Sequence, residues 1–294
     1  MSTDGEAGVG SSVDVSGQEE LLQVAVDAAR MAGALLLERV ARGVEHDVSS
    51  KSTPTDLVSE ADLASERAIR ELLASRRPDD GFVGEEGGSQ EGTSGLRWVV
   101  DPLDGTVNFL FGIPQWCVSV AVGDERETLA GAIYDPNRDE LFTATREGAA
   151  RLIGAGGTLY LAHEAAAGPA GRSDGERDVD AEERLASAMV ATGLAYDSKV
   201  RGAQAKVLAR LAPRVRDIRR LGSAALDLTW TAAGRYDAYF ERSVKQWDIA
   251  AGALICERAG LIVLELPIHE NLPWGILVAR PVLAEQLLEL LDGP

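Results

Sequence analysis

The chain has 294 residues, 45% of them hydrophobic, enough to bury a substantial core as one large unit or two closely packed ones. Its 47 acidic residues against 29 Lys and Arg leave a formal charge of -18, which argues against nucleic acid or an anionic membrane as a partner. Cys117 and Cys256 lie far apart, no apolar run reaches roughly eighteen residues and the N-terminus lacks a basic-then-apolar leader, so the expected compartment is a reducing cytoplasm.

The first twenty residues hold five acids and no Lys or Arg, and residues 1–18 read as a disordered tail. Two lobes follow: an N-terminal α+β lobe over 19–185 and a C-terminal α/β lobe over 186–294. From about Glu19 to Arg42, Leu22, Val26, Ala29, Leu36 and Val40 recur at helical spacing and predict a core-facing helix. The segment Lys51 to Asp62, KSTPTDLVSEAD, has a turn at Pro54 and then Ser59 with Asp62 three residues on, a capping-box arrangement opening a helix to about Arg76. On spacing alone Asp62 is a helix cap. Phe82-Val83-Gly84 predicts a short strand ending in Glu85 and Glu86, which are either solvated or a hard-cation site beside glycines.

The densest stretch is Trp98 to Pro114, WVVDPLDGTVNFLFGIP. Trp98-Val99-Val100 suits a covered strand that stops at Asp101, because Pro102 cannot continue a ladder. Asp104-Gly105 reads as a turn, and Thr106 follows with a hydroxyl and an amide on the same space as both aspartates. Phe109-Leu110-Phe111 should draw the following loop inward. An aspartate-nucleophile phosphatase would need Asp-x-Asp, whereas this spacing is Asp-x-x-Asp.

Cys117 to Val122, Thr128 to Tyr134 and Glu140 to Thr145 alternate with turns and predict three antiparallel strands. Residues 146 to about 184 read as a loop. Beyond Met189 short strands alternate with helices: strands at Ala188 to Thr192, Val215 to Arg219, Tyr236 to Phe240, Leu261 to Leu266 and Ile276 to Ala279. Helices are expected between the first two strands, from Leu221-Gly222-Ser223-Ala224 onward, from Ile249 to Ala259 and from Val282 to Leu291. Arg210, Arg214, Arg216, Arg219 and Arg220 read as a solvated basic face. Asp248, at a helix start, is by itself an ordinary dipole-complementing residue.

The segment WVVDPLDGTVNF resembles the signature of the inositol monophosphatase family, a tryptophan-valine strand running into DPIDGT, with Leu103 the one conservative difference. Three further segments resemble that family: Lys51, Asp56 and Asp62 at its spacing, with Ser59 where threonine is usual; Gly84-Glu85-Glu86; and Trp247-Asp248-Ile249-Ala250-Ala251-Gly252. The run Leu221 to Leu228, LGSAALDL, is similar to its bacterial and actinobacterial branch. The resemblance implies a layered αβαβα sandwich of α+β or α/β class, commonly a homodimer. It also implies a magnesium-dependent, lithium-sensitive phosphomonoesterase acting on inositol 1-phosphate. Carried over residue by residue, it makes Glu85 and Asp248 metal ligands, sets Glu86 close by, gives Asp62 with Thr106 the orientation of the attacking water, and makes Glu241 a contact to substrate hydroxyls.

An anionic chain that takes an anionic substrate needs cations. The expectation is two or three Mg2+ ions, a pair being about 3.5 to 4 Å apart, held by Glu85, Asp101, the carbonyl of Leu103, Asp104 and Asp248. Catalysis is assigned to Asp62, Thr106 and Glu85. Substrate contacts are Asp104, Gly105, Thr106, Ala224, Glu241 and Asp248, with the Gly105 and Thr106 amides holding phosphate oxygens. Lys51, Asp56 and Glu86 stand behind them. The expected partner is a small phosphorylated polyol. Alternatives are a relative acting on histidinol phosphate, fructose 1,6-bisphosphate or a nucleotide 3'-phosphate, and a non-catalytic regulatory protein on the same scaffold. His46, His163 and His269 lie outside every informative segment, so a histidine nucleophile or zinc site has no support.

Overall fold

A computed structural model describes residues 13–42, 48–50, 57–162 and 181–292, and the strands between residues 81 and 161 form one long antiparallel-rich sheet. In chain order the elements there are α1 (Val15–Arg42), β1 (Val48–Ser50), β2 (Leu57–Ser59), α2 (Glu60–Arg76), β3 (Gly81–Gly84), β4 (Gly88–Gln90), β5 (Arg97–Asp104), α3 (Thr106–Leu110), β6 (Cys117–Gly123), β7 (Thr128–Asp135), β8 (Glu140–Thr145), β9 (Ala150–Gly154) and β10 (Gly157–Leu161). There follow α4 (Ala181–Ser187), β11 (Met189–Thr192), α5 (Ser198–Leu211), β12 (Asp217–Arg219), α6 (Ala224–Ala232), β13 (Ala238–Arg242), α7 (Gln246–Arg258), β14 (Ile262–Leu266), β15 (Gly275–Ala279) and α8 (Pro281–Asp292). An eight-stranded sheet runs β10-β9-β8-β7-β6-β5-β3-β4, and a five-stranded sheet runs β12-β11-β13-β15-β14.

Period-two alternation decides the layers. On β6, Val118, Val120 and Val122 pack on α1 and α2, while Cys117 and Ala121 face α6 and α7. On β15, Ile276 and Val278 join that same middle layer, and Leu277 and Ala279 turn outward to α4, α5 and α8. The result is the expected αβαβα sandwich, with α6 and α7 as the filling between the sheets. Among the described residues no helix is long and apolar enough to cross a membrane.

Several details depart from the sequence expectations. The first helix begins at Val15, inside the stretch read as tail, because Asp14 accepts from the Gly17 amide at 2.8 Å and orders the entry. Its buried stripe is Leu21, Leu22, Ala25, Ala28, Ala29, Ala32 and Leu36, while Val40 is exposed. Residues 150–161, read as loop, form the β9–β10 hairpin; β10 is an edge strand with one buried residue, so its apolar pattern is weak. Phe109 is buried edge-on against Trp116, with ring centroids 5.2 Å apart, whereas Phe111 at the end of α3 is 74% exposed. The loop is drawn in by the first aromatic alone.

The strand expected to stop at Asp101 instead runs on to Asp104. It does so through a register shift: Asp101 is opposite Ser119 and Asp104 is opposite Cys117, so β5 spends one residue more than β6 over this interval. Pro102, which has no N–H to give the ladder, sits in that bulge, and its carbonyl accepts from the Ser65 hydroxyl at 2.8 Å.

Candidate active site

The bulge brings the two central acids together. In a regular strand, residues three apart point to opposite faces, but the extra residue places Asp101 and Asp104 on the face of Ser119 and Cys117, toward α6 and α7. β3 runs parallel to β5 with Gly84 opposite Val100, and the Glu85 amide donates to the Val100 carbonyl at 3.3 Å. Glu85 therefore leaves β3 beside Asp101. Gly105 follows at φ 99, in the left-handed region, and a Cβ there would stand 2.8 Å from the Gln115 carbonyl oxygen. Only glycine fits this close approach, which turns the chain into α3.

A cleft of about 260 Å³ opens over these residues, walled by Glu85, Asp101, Leu103, Asp104, Gly105 and Thr106 on one side. Ala224, Glu241 and Asp248 wall the other side. Thr106, at the start of α3, donates through its hydroxyl to Asp62 Oδ1 at 2.8 Å, with the Leu103 carbonyl oxygen 3.1 Å away, and Asp62 in the first turn of α2 is completely buried. Asp104 is gripped by the N-terminus of α6: Oδ2 accepts from Ser223 Oγ at 2.6 Å and from the Ala225 amide at 2.8 Å, and Oδ1 from the Ala224 amide at 3.3 Å. Asp101 Oδ1 accepts from the Leu103 amide at 3.0 Å, and Asp248 Oδ2 from the Lys245 amide at 2.6 Å. Each acid is thus aimed by backbone. Glu241, at the end of β13, accepts from the Tyr239 hydroxyl at 2.9 Å, and its carboxylate lies against Gly193, where a Cβ would overlap it.

Negative charge is concentrated here: Glu85, Asp101, Asp104, Glu241 and Asp248 share the cleft wall with Arg220, Arg242 and Lys245. Burial pushes Asp101 well above the usual carboxylate range, and repulsion from Glu85, Asp104 and Asp248 pushes it further. Asp248 is raised by burial against the pull of its Lys245 amide, and Asp104, Glu85 and Glu241 add to the rise. Asp104 is raised by burial, with Ser223 and the Ala225 and Ala224 amides opposing. Burial lifts Glu241 to about 7, opposed by Tyr239 and Arg220. Oxygen donors that repel one another in a confined space are the donor set a hard divalent cation reverses. The residues therefore fit Mg2+ by chemistry. Among the described residues, however, no three His, Cys, Asp or Glu side chains converge closely enough to make a ready-formed centre, since Asp104 is turned to α6.

Most predicted site residues line this one cleft. Asp62 lies behind it through Thr106, and Glu86 is not part of its wall: its amide donates to Glu66 Oε2 at 2.8 Å, on the side of β3 facing α2. Lys51 and Asp56 lie outside the described residues. Sequence reasoning missed the Ser223 hydroxyl on Asp104, the Cys117 thiol 3.7 Å from the same carboxylate, and Arg220. Of the arginines read as a solvated face, Arg219 pairs with Asp217 and Arg216 donates to the Ser187 carbonyl, but Arg220 lines the cleft. The signal available for it was its place two residues before Gly222-Ser223.

The profile of the Inositol monophosphatase family matches residues 17–292. The chain belongs to that family. The inositol-1-monophosphatase of Mycobacterium leprae is 41% identical over 254 residues, covering 83% of this chain and 81% of that protein. Nus factor SuhB of Pasteurella multocida is 38% identical over 272 residues, 91% of this chain and 94% of that protein. The solved structure of Mycobacterium tuberculosis SuhB superposes with a TM-score of 0.75 at 35% identity, covering 94% of this chain and 96% of that one. Family membership supports a phosphatase and, in general terms, metal dependence.

Proposed function

We propose that the chain is a Mg2+-dependent phosphomonoesterase that hydrolyses myo-inositol 1-phosphate to inositol and phosphate, a lithium-sensitive homodimer of the cytoplasm. The observation that carries this reading is the single cleft onto which Glu85, Asp101, Asp104 and Asp248 open from β3, β5 and α7, beside the Thr106–Asp62 pair. Glu85, Asp101, the Leu103 carbonyl, Asp104 and Asp248 would hold the ions, which when bound neutralise the ester phosphate and provide Lewis acidity.

The remaining work falls to the chain. Thr106 Oγ gives its own proton to Asp62, which leaves its lone pairs to accept from a water and hold that water in line with phosphorus. The amides of Gly105 and Thr106, at the start of α3, face the phosphate oxygens. Across the cleft, Glu241 accepts from hydroxyls of the leaving alcohol, steadied by Tyr239. This is a division of labour between the two sheets: the eight-stranded sheet carries the phosphate end and the five-stranded sheet the alcohol end, so we propose a division near residue 185 between the two lobes.

The name Nus factor borne by the Pasteurella relative suggests a second reading, a regulatory protein on the same scaffold. The full set of cleft acids, Asp62 included, favours the hydrolase. The test is phosphate release with Mg2+ from inositol 1-phosphate, histidinol phosphate, fructose 1,6-bisphosphate and adenosine 3',5'-bisphosphate, with lithium in parallel. Preference for the inositol ester is expected. Preference for another ester moves the substrate and keeps the chemistry, and silence on all four overturns the hydrolase.

A further inference from the structure

One wall of the cleft has no part in the scheme above: the turn between β12 and α6. Three cations line the cleft, exposed Lys245 just before α7, Arg242 and Arg220; Arg242 is buried and donates to the carbonyls of Pro267 at 2.7 Å and Pro273 at 3.0 Å. Arg220 is different. It is solvent-accessible and makes no ion pair among the described residues, although its neighbour Arg219 is paired with Asp217 at 2.6 Å.

Its backbone is nevertheless fixed relative to the phosphate end. Asn108 on α3 donates through Nδ2 to the Leu221 carbonyl at 2.8 Å and to the Gln115 carbonyl at 2.7 Å, tying the turn that follows Arg220 to the helix that begins at Thr106. Gly222, at φ 87, gives the guanidinium its room: a Cβ there would stand 2.6 Å from Arg220 Nη1. The side chain thus lies back over its own turn at the cleft wall.

Two acids feel its charge, Glu241 on β13 and Asp227 on α6, each drawn down by Arg220 against the effect of burial. Asp227 is 1% exposed, and neither carboxylate oxygen is hydrogen-bonded among the described residues. Glu241 offsets part of the field that Arg220 sends into the cleft and repels any second anion placed beside it. What Arg220 still offers is a fixed fork of N–H donors.

We propose that Arg220 is a specificity-determining residue that donates to one hydroxyl oxygen of the substrate while the neighbouring hydroxyl donates to Glu241, so that this wall selects alcohols with adjacent hydroxyls. The proposal rests on the phosphatase function above. Wild type, Arg220→Ala and Arg220→Gln are compared in kcat and KM on inositol 1-phosphate, p-nitrophenyl phosphate and fructose 1,6-bisphosphate with Mg2+. In Arg220→Ala the kcat/KM ratio of the inositol to the aryl ester falls about 10- to 100-fold, the range for one charge-assisted hydrogen bond. Most of the loss lies in KM, and Arg220→Gln, which keeps donors without charge, recovers part of it. An unchanged ratio overturns the assignment of Arg220 alone, as does a larger loss on the bisphosphate, which would make Arg220 an anion reader. No hydrolysis of any ester by wild type overturns the phosphatase function and this proposal with it.

Discussion

Ser223→Ala tests whether β5 and α6 are locked together through Asp104. The hydroxyl, 1% exposed, does two things: it accepts from the Leu226 amide at 3.3 Å as the N-cap of α6, and it donates to Asp104 Oδ2 at 2.6 Å. Loss of the cap costs about 1 kcal/mol. Loss of a charge-assisted bond costs about 1.5 to 3 kcal/mol, at the lower end here because the Ala225 amide at 2.8 Å still holds the same oxygen. The expected sum is about 2 to 3 kcal/mol, read as a lower urea midpoint of the metal-free protein at pH 8 with unchanged slope. As pH falls through the raised pKa of Asp104 the carboxyl becomes neutral, the charge-assisted part fades, and the difference shrinks toward that of the cap. A loss below about 0.5 kcal/mol at pH 8, or one that does not shrink as the pH is lowered, would refute the coupling.

Three other outcomes follow from the same geometry. Gly105→Ala combines about 1 to 2 kcal/mol for a left-handed alanine with a Cβ 2.8 Å from the Gln115 carbonyl oxygen, so a urea midpoint equal to wild type would contradict the close approach. Asp62→Asn keeps the shape around Thr106 and removes the charge that draws its proton; kcat on inositol 1-phosphate should drop by about 10²- to 10⁴-fold, with KM little altered, and an unchanged kcat would take Asp62 out of the chemistry. Without divalent metal, Asp101, Asp104, Asp248 and Glu241 bind protons more tightly folded than unfolded, so stability is greatest in the usual carboxylate range and falls as pH rises to about 7, where Glu241 titrates. The melting temperature should therefore decline from pH 5 to pH 8 and recover with added Mg2+, whereas a rise over that interval would show that the acids do not carry the raised pKa values.

Much of this was legible because local chemistry and the fold agree. Trp98-Val99-Val100 alternates between two buried faces, Asp101 sits at a proline and Asp104-Gly105 at a turn, so strand, acids and turn could be placed from residue types. The bulge could not. A spacing of three puts two strand residues on opposite faces unless the partner strand is one residue shorter, and that is a property of β6, whose Cys117 lies 13 residues beyond Asp104. Arg220 was hidden for a similar reason, since it sits beside four arginines near it in sequence and the clamp on its turn comes from Asn108 on α3, 113 residues before Leu221. The β9–β10 hairpin escaped because an edge strand with one buried residue carries little periodicity, and Phe111 because an apolar triplet does not say which ring meets Trp116.

The most direct test of the whole account is phosphate release from myo-inositol 1-phosphate by Asp104→Asn beside wild type, both saturated with Mg2+ and both followed by thermal melting. The side chain sits where the bulge, the turn at Gly105 and the N-terminus of α6 meet. A loss of about 10³-fold or more in turnover, with a melt within a few degrees of wild type, is what the account predicts. Turnover within a few-fold of wild type would mean that these acids do not hold the metal that hydrolyses the ester.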